Sequence, residues 1–191
     1  MPSLKRCKPA LFLDRDGVIF REVDHLWRVD HAKFIPGVFS ALRKAQKKYR
    51  LVVITNQAGI AKGLYTLSDY QILNSWMLRQ FRRHRVRIAG VFFCPHHPTG
   101  RIARYRKVCD CRKPKAGLFL KAAKKLQLDL QQSWSIGDKT SDTLAAKRAG
   151  CKTIIVRTGY AGRDLLYLTK PLHTVHTIFE AVYFLSTVKV S

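Results

Sequence analysis

The chain has 191 residues, 47% hydrophobic and 10% aromatic, a composition that supports a sizeable core and excludes a globally disordered protein. Its 36 Lys and Arg residues against 12 Asp and Glu residues give a formal net charge of +24, which attracts phosphates, nucleic acid or anionic membranes but does not specify a fold. No apolar run approaches the roughly 20 residues that span a bilayer, so no membrane partner is expected. The basic first residues lack a long apolar segment, and the length fits a single domain over residues 1–191, so we expect a one-domain cytoplasmic protein.

Short apolar runs alternate with amphipathic stretches along the chain. The runs typical of buried strands are residues 10–13, 51–54, 91–93, 134–136 and 153–156. Helical faces are predicted where apolar residues recur three or four positions apart, in residues 38–45, 70–81 and 119–126. Thr66 is a candidate N-cap, Thr140 or Ser141 is predicted to open a helix that ends before Gly150, and residues 177–185 are predicted to form a last helix. Strands that alternate with helices predict an α/β fold with a doubly wound parallel sheet.

Polar side chains follow three of the predicted strands. Asp14 and Asp16 come after the first, residues 55–57 (Thr-Asn-Gln) after the second, and Asp138 and Asp142 after the fourth. Asp and Gly are common turn residues, so one such cluster alone could be only a polar turn. Four of the twelve acidic residues nevertheless lie in two strand-end clusters, where ligands bind in parallel sheets. We therefore expect a divalent cation at this edge, and Mg²⁺ fits best because it prefers carboxylates, water and phosphate oxygens.

The longest stretch without a strand or helix pattern is residues 95–114. Of the five cysteines, Cys109 and Cys111 lie within this stretch and Cys94 lies directly before it. Cys94, His96, Cys109 and Cys111 provide three thiolates and one imidazole, which are the ligands of a closed structural zinc site. The alternatives are His97 as the nitrogen ligand, or buried free thiols without a metal. Because a long loop needs support, we favour zinc bound within a loop of about residues 94–113.

The motifs at the strand ends, taken together, resemble the haloacid-dehalogenase-like phosphohydrolases. The matching segments are residues 13–18 (LDRDGV), 54–57 (ITNQ) and 137–142 (GDKTSD). Residues 55–63, 94–98 (CPHHP) and 109–114 (CDCRKP) further resemble the branch of histidinol phosphatases and D,D-heptose 1,7-bisphosphate phosphatases. The resemblance covers roughly residues 10–160. It implies a Rossmann-like sheet with a minimal cap and a zinc-stapled loop, since no large insertion follows Asp16 or Thr55.

The resemblance also implies roles for individual residues. Asp14 would be the nucleophile that forms an aspartyl-phosphate, and Asp16 would protonate the leaving alcohol and then accept a proton from water. Mg²⁺ would be held by Asp14, the backbone carbonyl of Asp16 and Asp138. Thr55 and Lys113 would bind the transferring phosphoryl group.

The remaining implied contacts concern the substrate and the zinc ion. Substrate contacts are expected from Asn56, Gln57, Arg112 and Lys139. The zinc ligands are expected to be Cys94, His96, Cys109 and Cys111. The role of Asp142 stays open. It is a metal ligand, a hydrogen-bond acceptor behind the metal, or a residue of the first helical turn.

The expected activity is Mg²⁺-dependent hydrolysis of a small phosphorylated sugar by a monomer, and the 7-phosphate of D-glycero-D-manno-heptose 1,7-bisphosphate is the preferred candidate. The alternatives are histidinol phosphate, a polynucleotide 3′-phosphate, and a zinc-stapled nucleic-acid-binding module without activity. Residues 18–20 are Val-Ile-Phe, whereas the heptose branch usually carries Thr-Ile-Asn, and the loss of the Asn at position 20 removes a polar group expected near the substrate entrance. Aromatic residues do not interleave with the basic runs, so those runs are expected to be solvated and no specific nucleic-acid partner is expected.

Overall fold

The computed structural model of the chain describes residues 7–188, and the ends of the expected domain, residues 1–6 and 189–191, lie outside the described residues. In this described part of the chain, six strands form one sheet in the order β3-β2-β1-β4-β5-β6, with every neighbouring pair parallel. The strands are β1 (Lys8–Leu13), β2 (Arg50–Asn56), β3 (Ile88–Cys94), β4 (Leu128–Gly137), β5 (Lys152–Val156) and β6 (His173–Val175). The predicted α/β class with a parallel sheet is confirmed.

Within residues 7–188, six α-helices flank the sheet. They are α1 (Val38–Ala45), α2 (Ala58–Lys62), α3 (Leu67–Arg83), α4 (Gly117–Leu126), α5 (Thr140–Arg148) and α6 (Ile178–Thr187). Thr66 caps α3 as predicted, because its hydroxyl accepts from the amide of Asp69 while the Asp69 carboxylate accepts from the Thr66 amide. Gly150 follows α5 with a φ of 84°, the left-handed conformation that glycine adopts most easily.

The core has two layers because the residues of β1 alternate between the two faces of the sheet. Leu11 and Leu13 pack in the cluster that contains the apolar residues of α1, α3 and α6, whereas Ala10 and Phe12 pack in the cluster that contains those of α4 and α5. All four of these β1 side chains are fully buried, as expected for the inner strand of a sheet with helices on both faces.

Two strands differ most from the sequence-based expectation. β4 begins at Leu128, six residues before the predicted run, and β6 was not predicted. Polar residues interrupt the apolar pattern in the first half of β4, and β6 has only three residues at the edge of the sheet. Neither strand therefore carries a continuous apolar run.

Three long connections leave the carboxyl edge of the sheet and surround its middle. They are residues 14–37 after β1, residues 95–116 after β3 and residues 157–172 after β5. The only helical element within them is a short 3₁₀ turn, Ala103–Tyr105, so among the described residues the cap over this edge is minimal, as expected. None of the described helices is long and apolar enough to cross a membrane.

Candidate active site

All eight predicted catalytic and substrate-contacting residues line one cavity of about 300 Å³ at the carboxyl edge of the sheet. Parallel strands bring their carboxyl ends to the same edge, so residues far apart in sequence meet there. The predicted residues that line the cavity are Asp14, Asp16, Thr55, Asn56, Gln57, Arg112, Lys113 and Lys139.

Asp14 lies directly after β1 and is paired with Lys113. The backbone amide of Asp14 donates to Ile136 of β4 at 3.0 Å, which fixes the first turn after the strand. Its carboxylate Oδ1 accepts from the amide of Arg15 at 2.8 Å and lies 3.0 Å from the Lys113 ammonium. The Asp14 side chain is thus held in one orientation at the bottom of the cavity.

Lys113 is a buried cation between two buried carboxylates. Its ammonium also contacts Asp142 and donates to the carbonyl of Ile54 at 3.1 Å. Burial disfavours the ammonium, but the carboxylates of Asp14 and Asp142 prevail and raise the pKa of Lys113 above its usual value. Lys113 is therefore a fixed positive charge beside the predicted nucleophile.

The side chain of Asn56 fixes the backbone of Lys113. Asn56 Oδ1 accepts from the Lys113 amide at 3.1 Å, and Asn56 Nδ2 donates to the Lys113 carbonyl at 3.1 Å. This reciprocal pair connects the end of β2 to the last residues of the cysteine loop. The structure gives Asn56 a positioning contact that the sequence did not indicate, and its predicted contact with substrate stays a prediction.

Three buried carboxylates form a group that fits a divalent cation. Asp14, Asp138 and Asp142 each place one oxygen within 4.8 Å of the others. Asp138 Oδ1 is buried without a hydrogen-bond partner among the described residues. Burial, followed by the charges of Asp142 and Asp14, raises the pKa of Asp138 to about 8. A bound cation would satisfy that oxygen and offset the repulsion, so the donor set fits Mg²⁺.

Asp138 is enclosed by two glycines. A Cβ atom added to Gly17 would lie 2.4 Å from Asp138 Oδ2, and one added to Gly159 would lie 2.1 Å from the same oxygen. Gly17 also has a φ of 82°. The amide of Tyr160 donates to Asp138 Oδ2 at 2.9 Å. The glycine of the first motif is therefore required for close approach as well as for turning the chain.

Asp142 takes one of the roles that the sequence left open and also makes a contact that the sequence did not indicate. It lies in the first turn of α5 and its Oδ2 accepts from the Lys139 amide at 3.0 Å, as a residue in that turn is expected to do. Its other oxygen contacts Lys113. Asp142 thus anchors the start of α5 and holds the Lys113 ammonium at the same time.

The carboxylate of Asp16 is held by Arg15, the residue before it. Arg15 Nε lies 3.0 Å from Asp16 Oδ1 and Nη2 lies 3.0 Å from Oδ2, so both carboxylate oxygens are engaged. The Arg15 side chain is 1% exposed, donates to the carbonyl of Leu26 at 2.6 Å and lies 5.7 Å from the Tyr70 ring centroid. A buried guanidinium thus fixes the predicted acid and base.

A second network connects Asp16 to Thr55. Gln57 Nε2 donates to Thr55 Oγ1 at 2.9 Å and lies 3.3 Å from Asp16 Oδ2, while Gln57 Oε1 accepts from the Tyr65 hydroxyl at 2.7 Å. Gln57 is 2% exposed. Its side chain joins Asp16 to Thr55, and its own contact with substrate stays a prediction.

The cysteine loop brings its four predicted ligands together. The Sγ atoms of Cys94, Cys109 and Cys111 lie 3.0 to 3.5 Å apart, and His96 Nδ1 lies 3.2 Å from Cys111 Sγ. Such a compact set of three thiols and one imidazole fits a tetrahedral zinc ion. The Nδ1 atom of His97 instead contacts the amide and hydroxyl of Thr99, so His96 is the histidine of the cluster.

The rim of the cavity carries half-buried charges of both signs. Arg112 Nη1 is 3.4 Å from the carbonyl of His96, which ties the guanidinium to the cysteine loop. Lys139 lies 3.5 Å from Glu22 and 4.2 Å from the Tyr160 ring centroid. Burial comes first among the causes that raise the pKa of Glu22 to about 7.

Several residues of the site were not predicted, and the departure from the family pattern at position 20 does not have the expected effect. Tyr65 and Tyr160 act through contacts that no short motif encodes, and Arg15 lies inside the first motif but was not assigned a role. Phe20 does not line the cavity; it is fully buried, 4.7 Å from the ring of Phe34 by ring centroids. The expectation that position 20 alters the substrate entrance directly is therefore wrong.

Comparison with known proteins agrees with this geometry. Residues 110–181 match the family model described as HAD-hydrolase-like. The D-glycero-β-D-manno-heptose-1,7-bisphosphate 7-phosphatase of Escherichia coli O6:H1 is 43% identical over 153 residues, covering 79% of this chain and 80% of that protein. The enzyme of the same name from Vibrio cholerae is 46% identical over 156 residues, covering 80% and 83%.

Comparison with a solved structure points to the same family of phosphatases. The D,D-heptose 1,7-bisphosphate phosphatase of B. bronchiseptica, described as complexed with magnesium and phosphate, superposes with a TM-score of 0.81 at 29% identity. The superposition covers 93% of this chain and 98% of that one. Sequence identity over most of both chains, the sheet and the strand-end site thus agree. The chain is a phosphoric monoester hydrolase that belongs to the D-glycero-β-D-manno-heptose-1,7-bisphosphate 7-phosphatase family of HAD-like hydrolases.

Proposed function

We propose that this chain removes the 7-phosphate of D-glycero-β-D-manno-heptose 1,7-bisphosphate through an aspartyl-phosphate on Asp14. The observation that carries the mechanism is the pairing of Asp14 with a buried lysine at the bottom of a cavity, with a second carboxylate two residues away. The substrate is the one in the names of the relatives from E. coli and V. cholerae.

In the first step, a carboxylate oxygen of Asp14 attacks phosphorus and the bond from phosphorus to the sugar oxygen breaks. The protein contacts described for this carboxylate involve Oδ1, and we assign the attack to Oδ2. Asp16 gives its proton to the leaving sugar oxygen. In the second step a water molecule gives a proton to Asp16 and attacks phosphorus, and the bond from phosphorus to the Asp14 oxygen breaks. Inorganic phosphate then leaves, and both carboxyl groups return to their starting state.

Charge stabilisation of the phosphoryl group is assigned to Lys113 and Thr55. The Lys113 ammonium is fixed by two carboxylates, so it does not need to reorganise as charge develops on the phosphate oxygens. Thr55 accepts from Gln57, which leaves its hydroxyl proton available for a phosphate oxygen. Both groups stand at strand or loop positions that other side chains fix.

We assign a Mg²⁺ ion to Asp14, Asp138 and the backbone carbonyl of Asp16, and a structural zinc ion to Cys94, His96, Cys109 and Cys111. When bound, Mg²⁺ neutralises the repulsion between carboxylate and phosphate. Four protein ligands would leave zinc no open position for water, so its part is to hold the loop. Arg112 and Lys113 follow the last of these ligands directly, so the loop carries Lys113 beside Asp14 and Arg112 at the rim of the same cavity.

Arg112 is the residue that would favour a bisphosphate. Lys113 is committed to the reacting phosphoryl group, whereas the guanidinium of Arg112 lies at the rim with a fork geometry suited to a second phosphate. Histidinol phosphate carries an ammonium group instead, which a guanidinium repels. We therefore expect the heptose bisphosphate to be hydrolysed with a higher kcat/KM than histidinol phosphate.

The test compares kcat/KM for both substrates in the native protein, in Arg112→Ala and in Arg101→Ala. Arg101 is exposed in the same loop and does not line the cavity, so it serves as the matched control. Arg112→Ala should lose about tenfold to a hundredfold on the bisphosphate, the size of a lost charged contact, and little on histidinol phosphate. Faster native hydrolysis of histidinol phosphate, or equal losses on both substrates, would overturn the assignment.

We also propose that the chain acts as a monomer in the cytoplasm. The support is that residues of this one chain complete the cavity and both groups of candidate metal ligands. Light scattering coupled to gel filtration should give the mass of one chain, and a dimer would contradict the proposal.

A further inference from the structure

The acidic residues are concentrated on one side of the fold. All twelve lie within residues 7–188, and eleven of them lie in the connections after strand ends or in the first turns of helices. These are the positions at the carboxyl edge of the sheet. The twelfth, Asp129, lies in β4, and its carboxylate accepts from the amide of Gln132. The opposite edge, where strands begin and helices end, is left with a large excess of positive charge.

Two adjoining concavities at this amino edge are lined by cations. The larger, about 570 Å³, contains Lys8 at the start of β1, Lys47 and Lys48 after α1, Arg50 at the start of β2 and Arg87 before β3. The smaller contains Arg43, Arg83 and Arg85. No acidic residue lines either concavity. We call these eight cations the amino-edge basic face.

Backbone contacts hold the basic face in one arrangement. Gln46 Nε2 donates to the carbonyl of Arg85 at 2.8 Å, and Gln46 Oε1 accepts from the amide of Arg87 at 2.8 Å. Arg50 Nη1 donates to the carbonyl of Leu126 at 3.0 Å, which connects the same edge to the end of α4. The turns that carry the cations are thus joined to one another and do not depend on a ligand for their placement.

Helix dipoles do not account for this distribution. Cations in the last turn of a helix gain about 0.3–1 kcal/mol from the dipole, which explains positions such as Arg43 and Arg83. Lys8, Arg50 and Arg87 are exposed at or before the first residue of a strand, where no such gain exists. Repulsion among these exposed charges favours a bound polyanion over a bare surface.

We infer that the amino-edge basic face binds duplex nucleic acid through its phosphate backbone, without reading sequence. Five of the eight cations are arginines, whose planar forks match phosphate oxygens. Arg87, Arg50 and Lys8 mark three adjacent strands spaced about 4.8 Å apart, and a duplex presents one charge for about every 1.7 Å of its axis.

The composition of the amino-edge basic face argues against two other polyanions, an anionic bilayer and single-stranded nucleic acid. None of the large exposed hydrophobic side chains among the described residues lines either concavity, and Tyr49 is 5% exposed. The face therefore lacks the apolar groups that insert into a bilayer and the aromatic surfaces on which unpaired bases stack. A paired duplex needs neither.

The test uses two triple variants of equal net charge. Lys8→Gln, Lys47→Gln and Arg87→Gln remove three exposed cations whose side chains make no hydrogen bond within the described residues. The matched control, Arg101→Gln, Arg104→Gln and Lys107→Gln, removes three exposed cations from the cysteine loop at the other edge. Binding of a labelled duplex is measured by fluorescence anisotropy over a range of salt concentrations, alongside phosphatase activity.

Native protein should bind two unrelated duplex sequences equally, with a Kd of roughly 10⁻⁴–10⁻⁶ M near physiological salt. The amino-edge triple variant should bind at least about tenfold more weakly, with a salt slope smaller by about 3, while its phosphatase activity is unchanged. The control triple variant should bind like the native protein. Equal weakening in both variants, no duplex binding, or stronger binding to vesicles of anionic phospholipid would overturn the inference.

Discussion

Arg15 holds Asp16 by two parallel hydrogen bonds of 3.0 Å each, although the two residues are neighbours in sequence. The guanidinium is fully buried, so the Asp16 carboxylate can turn only within the reach of that fork. The residue between the two aspartates of the first motif therefore controls the geometry of the proposed acid and base.

Replacing Arg15 with lysine keeps a positive charge and removes the fork. We expect Arg15→Lys to lower kcat by about tenfold to a hundredfold, part of what general acid–base catalysis supplies, with KM nearly unchanged. Arg28→Lys is the matched control, because Arg28 holds Asp30 by the same two contacts on the exposed surface. Steady-state kinetics and thermal unfolding check the result, and a kcat equal to the native value in Arg15→Lys contradicts this role.

Asn56 is expected to act through Lys113. Asn56→Ala removes both hydrogen bonds to the Lys113 backbone, so kcat should fall by about tenfold or more as the ammonium loses its fixed position. Asn74→Ala, on α3 and away from the cavity, controls for the loss of an asparagine. If Asn56→Ala raises KM alone and leaves kcat intact, Asn56 contacts substrate and does not position Lys113.

The two proposed metals should leave the protein under different conditions. EDTA should remove activity quickly, and added Mg²⁺ should restore it, because a Mg²⁺ site is built mainly from carboxylates and water. Zinc should stay at about one equivalent until thiol-directed reagents or acid release it, since its ligands must be deprotonated thiolates. Elemental analysis before and after each treatment is the measurement. Freshly purified protein without zinc would refute the zinc site.

Glu22 should make substrate binding depend on pH. Burial, together with the charges of Asp16 and Asp14, raises the pKa of Glu22 to about 7 although Lys139 opposes the rise. The carboxyl group is therefore neutral below that pH and ionised above it, where it repels a phosphate and draws Lys139 away from the substrate. KM should rise about threefold to tenfold between pH 6 and 8, since a charge near the surface is worth roughly 1 kcal/mol.

Glu22→Gln is the variant that isolates this effect. It keeps the shape of the side chain and cannot ionise, so the rise of KM with pH should flatten while the titration of the substrate phosphate remains. Asp24→Gln serves as the control, because Asp24 lines the same cavity but is strongly exposed. An unchanged pH dependence in Glu22→Gln would show that Glu22 does not titrate in this range.

The strands that the sequence predicted are those formed by continuous apolar runs. β1, β2 and β5 are apolar runs buried on both faces, and each ends where polar residues begin. The same runs placed Asp14 and Thr55 at strand ends, from which the cavity followed. β6 has neither length nor an apolar run, so no local pattern could reveal it.

The parts of the site that the sequence could not predict depend on contacts between distant segments. Tyr160 reaches Asp138 from the connection after β5, and Asn56 reaches Lys113 across 57 positions. Such contacts exist only once the sheet order is fixed, because the order decides which strand ends are neighbours. Arg15 lies inside the first motif, but its burial depends on distant contacts. It packs against the Tyr70 ring and donates to the carbonyl of Leu26.

We propose that Asp14 forms the covalent intermediate in hydrolysis of the 7-phosphate. Phosphorus NMR of the heptose bisphosphate during turnover tests it most directly, run on the native protein and on Asp14→Asn with thermal unfolding as the check on folding. The native protein should lose the signal of the 7-phosphate, keep that of the 1-phosphate and produce inorganic phosphate, whereas folded Asp14→Asn should leave both signals unchanged. Release of the 1-phosphate by the native protein, or substantial turnover by Asp14→Asn, would contradict the account.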